Sequence, residues 1–367
     1  MRTKIYIIGF VVTFISLTTL LLFSATFYAL VFNEKPAIFA KKSIKGDTFQ
    51  YPETMKGYNT YSLSSTKFQV IFVSDNDKYN KGLDTYGVSK VGFGHIEFKD
   101  GQWTFTPNDA KKFEVKALYQ YNKRGTEFSE IISYNGELYV FDDKTGIGHK
   151  LDTVNKKVYP RLIMADGMGN LVTGFKHEWA TIKGDQLYLG SQGLDSINQD
   201  GTYGRTNKYS VQIVNTNGSY VTINFSNVYK SLETLININL PGYTNMEGVT
   251  YSNMKKKWYF APRKVSNTFY SDDHDVISSG KYIFAMDEDF KNPTVKEDVQ
   301  FNETRGFSTL KLLPFHEDLI VYIKTYENGA ALQSWIGMTN ADGAKMMEEV
   351  SLGNDKYEGL EIIPLDA

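Results

Sequence analysis

Short apolar runs separated by polar turns recur along most of the chain. "KFQVIFVSD" (67–75), "GELYVFDD" (136–143), "DQLYLGS" (185–191), "KKWYFAP" (256–262) and "DLIVYIKT" (318–325) are rich in β-branched and aromatic residues. Asn-Gly, Gly-Asp or acidic turns bound them, which predicts strands joined as hairpins. Beyond the N-terminus only "SNVYKSLETLININL" (226–240) reads as a helix.

The runs belong to larger repeats. "FSEIISYNGELYVFDD", "HEWATIKGDQLYLGS", "MEGVTYSNMKKKWYFAP" and "FSTLKLLPFHEDLIVYI" share one plan. A Ser or Glu opens an apolar strand, a polar pair turns the chain, and an aromatic-rich strand returns. The openers are Ser129, Glu178, Glu247 and Ser308; a fifth copy, "YEGLEII", opens on Glu358 and is cut short by the end of the chain. The intervals, roughly 50 to 70 residues, suit four-stranded propeller blades. The expected fold is therefore all-β, a five-bladed β-propeller over residues 66–367. The early run "KFQVIFVSD" would lend strands to the truncated copy and close the ring, leaving few open edges.

Equivalent positions of successive blades face one another across a propeller's channel. Ser129, Glu178, Glu247, Ser308 and Glu358 would then form a ring of oxygens. Three carboxylates on one axis repel unless positive charge lies between them. A hard divalent ion resolves this, and calcium accepts about 6–8 oxygens from carboxylates, carbonyls, hydroxyls and waters. The absence of Cys and the five scattered His argue against zinc or copper. Read singly, a Glu at a strand start is usually a solvated edge or a turn partner; three at matching repeat positions favour the ring.

The N-terminus is different. Arg2 and Lys4 precede an uncharged stretch from Ile5 to Asn33. A membrane-spanning helix needs about 20 apolar residues, and a cleaved signal peptide has a shorter apolar core of about 7–15. Residues 1–33 are therefore read as a transmembrane signal anchor and 34–65 as a polar, Lys-rich stalk. The folded domain would face the lumen of the secretory pathway or the outside, and would be secreted if the segment were cleaved. Lys35, Lys41, Lys42 and Lys45 on the far side weaken the orientation signal of Arg2 and Lys4. Sequons at Asn217, Asn224 and Asn302 fit a lumenal glycoprotein.

A net charge of −2 over 367 residues gives no basic face for nucleic acid. The lack of Cys excludes disulfides and thiol nucleophiles. There is no G-x-x-x-x-G-K-[ST] loop, no G-x-G-x-x-G after a strand, no H-E-x-x-H and no G-x-S-x-G.

The motif set resembles a known family, the calcium-activated nucleotidases or calcium-dependent apyrases. The matching segments, in order, are "VSDND" (73–77), "FSEIISYNGELYVFDDKTG" (128–146), "ADGMG" (165–169), "GFKHEW" (174–179), "WYFAPRKVS" (258–266), "RGFSTLKLLP" (305–314) and "KYEGLEII" (356–363). The resemblance covers roughly residues 65–367. It implies a five-bladed propeller, one central calcium ion, and hydrolysis of nucleoside di- and triphosphates to monophosphates. It also implies Ser129, Glu178, Glu247, Ser308 and Glu358 as calcium ligands, the set already picked by the repeats. Two departures bear on nucleotide preference. The family's Asp-Leu-Asp-Thr reads Asp75-Asn76-Asp77-Lys78 here, and its Asp-Asp-Arg-Thr-Gly reads Asp142-Asp143-Lys144-Thr145-Gly146. The anchor matches the membrane-held members.

Phosphoanhydride hydrolysis needs an oriented water and neutralised phosphate charge. Asp75, Asp77, Asp142, Asp143 and Asp166 lie at loop-like strand ends. Asp142 or Asp143 is the expected water-orienting acid, with Asp75 or Asp77 holding metal-bound water or phosphate. Arg263 is the leading phosphate-binding cation because guanidinium matches phosphate in two contacts; Lys176 and Arg305 follow. Trp179 or Tyr243 would stack the base. Plainer readings stand beside these. "VFDDKTG" is also ordinary turn chemistry, Arg263 could brace a strand, and Trp179 could be core. The rival function is a non-catalytic, calcium-stabilised propeller that binds glycans or proteins. Oligomeric state, a homodimer included, is open.

Overall fold

The computed structural model describes residues 49–75, 87–167, 169, 171–194 and 208–365. The anchor segment 1–33, residues 34–48 of the stalk and Asp77 lie outside these residues. Among the described residues no helix is long and apolar enough to cross a membrane.

The described chain forms five antiparallel sheets arranged as propeller blades. The first holds β1 (Lys67–Ser74), β2 (Ser89–Lys99), β3 (Gln102–Pro107) and β4 (Phe113–Val115). The second is β5 (Phe128–Tyr134), β6 (Glu137–Asp142), β7 (Ile147–Asp152) and β8 (Lys157–Ile163). β9 (Trp179–Lys183), β10 (Gln186–Gly190), β11 (Ser210–Val214) and β12 (Tyr220–Asn224) make the third, which leads into helix α1 (Ser226–Leu235) within the stretch read as helical. The fourth is β13 (Tyr243–Ser252), β14 (Lys257–Ser266), β15 (Tyr282–Asp287) and β16 (Thr294–Glu297), with the short helix α2 (Asp272–Val276) in its β14–β15 connection. The fifth is β17 (Gly306–Leu313), β18 (His316–Asn328), β19 (Ala331–Asn340) and β20 (Lys345–Gly353). The last strand, β21 (Tyr357–Ile363), returns to pair antiparallel with β1, from Gln69 opposite Ile363 to Ser74 opposite Tyr357. The ring therefore closes between the two ends of the folded domain, as the truncated fifth repeat requires.

β5, β9, β13, β17 and β21 are the inner strands, each packed on the next. Neighbours on both faces bury every residue of β17 and β21. Polar residues of the inner strands, such as Glu130, Lys311 and Glu361, are therefore buried as well. The outer strand β8 instead has only exposed and half-buried residues. Trp179, Phe225, Tyr229, Trp258 and Phe260 fill the seam between the third and fourth blades. Ile71, Val91, Phe128, Ile131 and Ile363 fill the seam at the closure. Burying a large apolar side chain is worth about 1.5–3 kcal/mol, so these seams weld blade to blade. The "Asn-Gly" turn at Asn135–Gly136 has positive φ at both residues, 52° and 79°, the backbone a two-residue hairpin favours.

The compact unit begins at Gln50, so the second half of the stretch read as a stalk packs on the propeller. A 3-10 helix, Glu53–Thr60, lies here. Tyr51 OH donates to Glu317 Oε1 at 2.7 Å and Tyr58 OH to Glu361 Oε1 at 2.6 Å. Met55 and Tyr58 line a small void with Lys311, Glu317 and Glu361, towards the C-terminal ends of the inner strands.

Candidate active site

The N-terminal ends of the inner strands carry a repeated irregularity. On β5, Phe128 pairs with Asp142 and Glu130 with Phe141, which leaves Ser129 as an extra residue. On β13, Met246 pairs with Pro262 and Gly248 with Ala261, and Glu247 is extra. Ser308 is extra on β17, and Glu358 is extra on β21. Glu178 stands one residue ahead of β9. Its N–H donates to Gly190 O at 2.9 Å, and Gly190 is also the partner of Trp179. All five repeat openers thus occupy bulges or a bulge-like turn. A bulge frees one residue from the ladder and re-aims its side chain. Glycine follows two of the acids because the strands approach closely. A Cβ on Gly359 would stand 2.7 Å from Ile131 N, and one on Gly248 would stand 2.9 Å from Ala261 O.

Glu178, Glu247 and Glu358 line one cavity of about 630 Å³, together with Asp75, Asp143 and Glu327. Ser129 and Ser308 are buried at the matching bulges, and Ser308 Oγ lies 2.7 Å from Thr325 Oγ1. Cations lie between the acids. Arg263 Nη1 contacts Glu247 Oε2 at 2.9 Å and Glu358 Oε1 at 2.6 Å, and its Nη2 reaches Glu327 at 3.1 Å. Lys176 Nζ bridges Asp143, at 2.5 Å, and Glu178. Lys356 Nζ contacts Asp75 at 2.7 Å and Glu358 at 3.2 Å. Three long basic side chains thus reach into gaps that a metal ion alone was expected to fill.

Burial pushes the Glu178 carboxyl up to about 7, with Lys176 opposing and Glu247 and Asp143 adding to the rise. Burial also raises Glu358, against Lys356 and Arg263. Burial works on Asp143 too, but Lys176 outweighs it and holds that carboxyl below its usual range.

The donors suit a hard cation. Ser129 Oγ, Asp143 Oδ1 and Asn245 Oδ1 are buried and make no hydrogen bond among the described residues. Orphaned buried oxygens are costly and call for a partner. Every donor offered is oxygen, as calcium prefers. As the side chains stand, no group of three acidic or histidine residues among the described residues is arranged to hold a metal, because Arg263, Lys176 and Lys356 fill the space between them.

A family model described as Apyrase matches residues 74–363, most of the chain. The chain belongs to the apyrase family. It is 33% identical over 304 residues to an apyrase of Cimex lectularius, covering 81% of this chain and 83% of the relative. It is 28% identical over 322 residues to soluble calcium-activated nucleotidase 1 of Rattus norvegicus, covering 85% of this chain and 79% of the relative. An apyrase of Phlebotomus duboscqi is 30% identical over 300 residues, covering 81% of this chain and 88% of the relative.

In this member of the apyrase family the remaining expected site residues divide sharply. Asp75, Asp143, Lys176 and Arg263 line the cavity. Asp142 does not. Its two oxygens accept from Thr126 N at 2.7 Å, Lys144 N at 2.8 Å and Thr145 N at 2.9 Å, so it clamps the turn and has no oxygen to spare for water. Asp166 is half-buried outside the cavity and accepts from Gly167 N and Thr173 Oγ1. Arg305 pairs with Glu349 at 3.0 Å and lies 3.8 Å over the Trp335 ring, away from the cavity. Trp179 is fully buried, with Nε1 donating to Tyr229 OH at 3.0 Å, so no base can reach its face. Tyr243 is also buried, with its OH on Asp275 Oδ1 at 2.7 Å.

Sequence reasoning missed Lys356, Glu327 and Asn245. A usable signal existed for two of them. Lys176, Asn245 and Lys356 each stand two residues before an acid of the ring, and alternate residues of a strand share a face. Glu327, near the end of β18, carries no such mark.

Proposed function

We propose that this protein hydrolyses nucleoside di- and triphosphates to monophosphates, and that it needs calcium to do so. The observation that carries this reading is the charge of the cavity. Among the described residues lining it, nine carboxylates face four cations, Lys176, Arg263, Lys264 and Lys356. A phosphate would be repelled from such a surplus unless another cation entered with it. The free oxygens of Ser129, Asp143 and Asn245 support an ion held beside Glu178, Glu247 and Glu358. Bound there, calcium would clamp phosphate oxygens and make coordinated water more acidic. The names of the rat and mouse relatives agree with such a dependence.

The protein's own groups supply the rest. Arg263 and Lys356, released in part from Glu358, meet the phosphate charge. Lys176 holds Asp143 ionised, which keeps its free Oδ1 available as one of the oxygens around the ion. Asp75 steadies Lys356. The apolar run at residues 5–33 supports a membrane anchor with this domain on the lumenal or outer side.

A phosphate-release assay across UDP, GDP, ADP and ATP, with calcium or with chelator, tests the reading. Turnover should require calcium and should fall at least a hundredfold in Glu178→Ala, the order of loss expected when transition-state charge loses its stabilising group. No turnover of any nucleotide would refute it and favour a binding propeller.

A further inference from the structure

The cavity is chemically lopsided. Its floor holds the bulge acids and the basic residues Lys176, Arg263 and Lys356. Its rim, from the β14–β15 connection, holds Tyr270, Asp272, Asp273 and Asp275. Tyr270 is the only aromatic among the described lining residues, and it is 40% exposed. Its ring lies 5.8 Å from that of Tyr243, tilted by 52°. Its OH donates to Asp272 Oδ1 at 3.0 Å. The rim is tied down from below, because Tyr243 OH donates to Asp275 Oδ1 and Lys264 Nζ lies 3.4 Å from Asp275 Oδ2.

A nucleotide carries its negative charge at one end and a flat, neutral ring at the other. The acidic rim rejects the phosphates, which must therefore lie on the floor. The remaining end falls at the rim, where Tyr270 is partly exposed. The geometry points to Tyr270 as the residue that stacks the nucleobase and so separates nucleotides from base-free polyphosphates. This rests on the nucleotide-hydrolase reading above and supplies the base contact that buried Trp179 and Tyr243 cannot. Stacking of a base on an aromatic face is sequence-tolerant, because every base has such a face. The site should accept several bases, with purines gaining most from overlap. The acid beside the ring, Asp272, would favour bases that offer a donor edge.

The test uses steady-state hydrolysis of UDP and GDP against inorganic tripolyphosphate, in wild type, Tyr270→Ala and Tyr270→Phe. Tyr270→Ala should raise KM for both nucleotides by roughly five- to 150-fold, the span of base–aromatic stacking, with kcat much less affected. KM for tripolyphosphate should stay near the wild-type value. Tyr270→Phe keeps the ring and should shift the nucleotide KM far less than Ala does. An equal rise for tripolyphosphate, or no rise for the nucleotides, would overturn the assignment. Calorimetric binding of UMP against ribose 5-phosphate, with calcium present, separates this idea from the reading it rests on. Wild type should favour UMP and Tyr270→Ala should not, even if no anhydride is hydrolysed. Equal binding of the two ligands by wild type would also overturn it.

Discussion

Arg263 stands where two buried carboxylates would otherwise repel each other. Its guanidinium joins Glu247 on the fourth blade to Glu358 on the strand that closes the ring. Removing one partner of a buried ion pair strands the other charge, at a cost of about 3–5 kcal/mol. Arg263→Met should therefore destabilise the protein by about 3 kcal/mol in chelator, read from urea denaturation. Calcium should restore more stability to this variant than to wild type, because the ion can replace the lost positive charge. An equal calcium effect in both proteins would show that Arg263 and the ion do not serve the same carboxylates. The residue was visible in the sequence as a basic side chain near the site. Its partners were not, since Glu358 lies far along the chain on a different blade.

The bulge is the unit that matters at the level of elements. In four of the five inner strands it turns one residue out of the ladder without interrupting the strand. The openers were legible because they recur at blade spacing with the same neighbours. The bulges were not, because an extra residue changes pairing and leaves composition untouched. Turn chemistry misled in the same way: Asp142 and Asp143 are adjacent in sequence, yet one clamps a turn through three backbone N–H groups and the other opens into the cavity. Close approach of β21 to β5 gives a direct check. A methyl group at position 359 would press on the backbone of Ile131 and Glu130, at 2.7 and 2.8 Å. Neither can give way as a side-chain tip could. Gly359→Ala should lower stability by about 1–3 kcal/mol, the usual cost of overpacking, as a shift in urea midpoint. An unchanged midpoint would mean that the strands are less tightly held at the bulge than the distances imply.

Across the whole molecule, the two ends of the domain do the closing. β21 supplies the inner strand of the first blade, and edge-to-face contact of Phe72 with Tyr357, at 4.8 Å, locks the join. Residues from Tyr51 to Tyr61 cover the other end of the channel. The sequence foretold the closure, since a truncated last repeat needs a borrowed partner. It did not foretell the cover, because that segment is polar on average and only its tyrosines and Met55 mark it as packed. With the channel covered at one end, the acidic cavity is the natural entrance for an ion. The most direct measurement is a calorimetric calcium titration of the metal-free protein alongside Glu178→Gln, Glu247→Gln and Glu358→Gln. We predict saturable uptake of one ion per chain, with affinity lowered at least tenfold in each variant and a melting temperature that rises with calcium in wild type. Absence of saturable binding, or affinities unchanged across the three variants, would contradict the account.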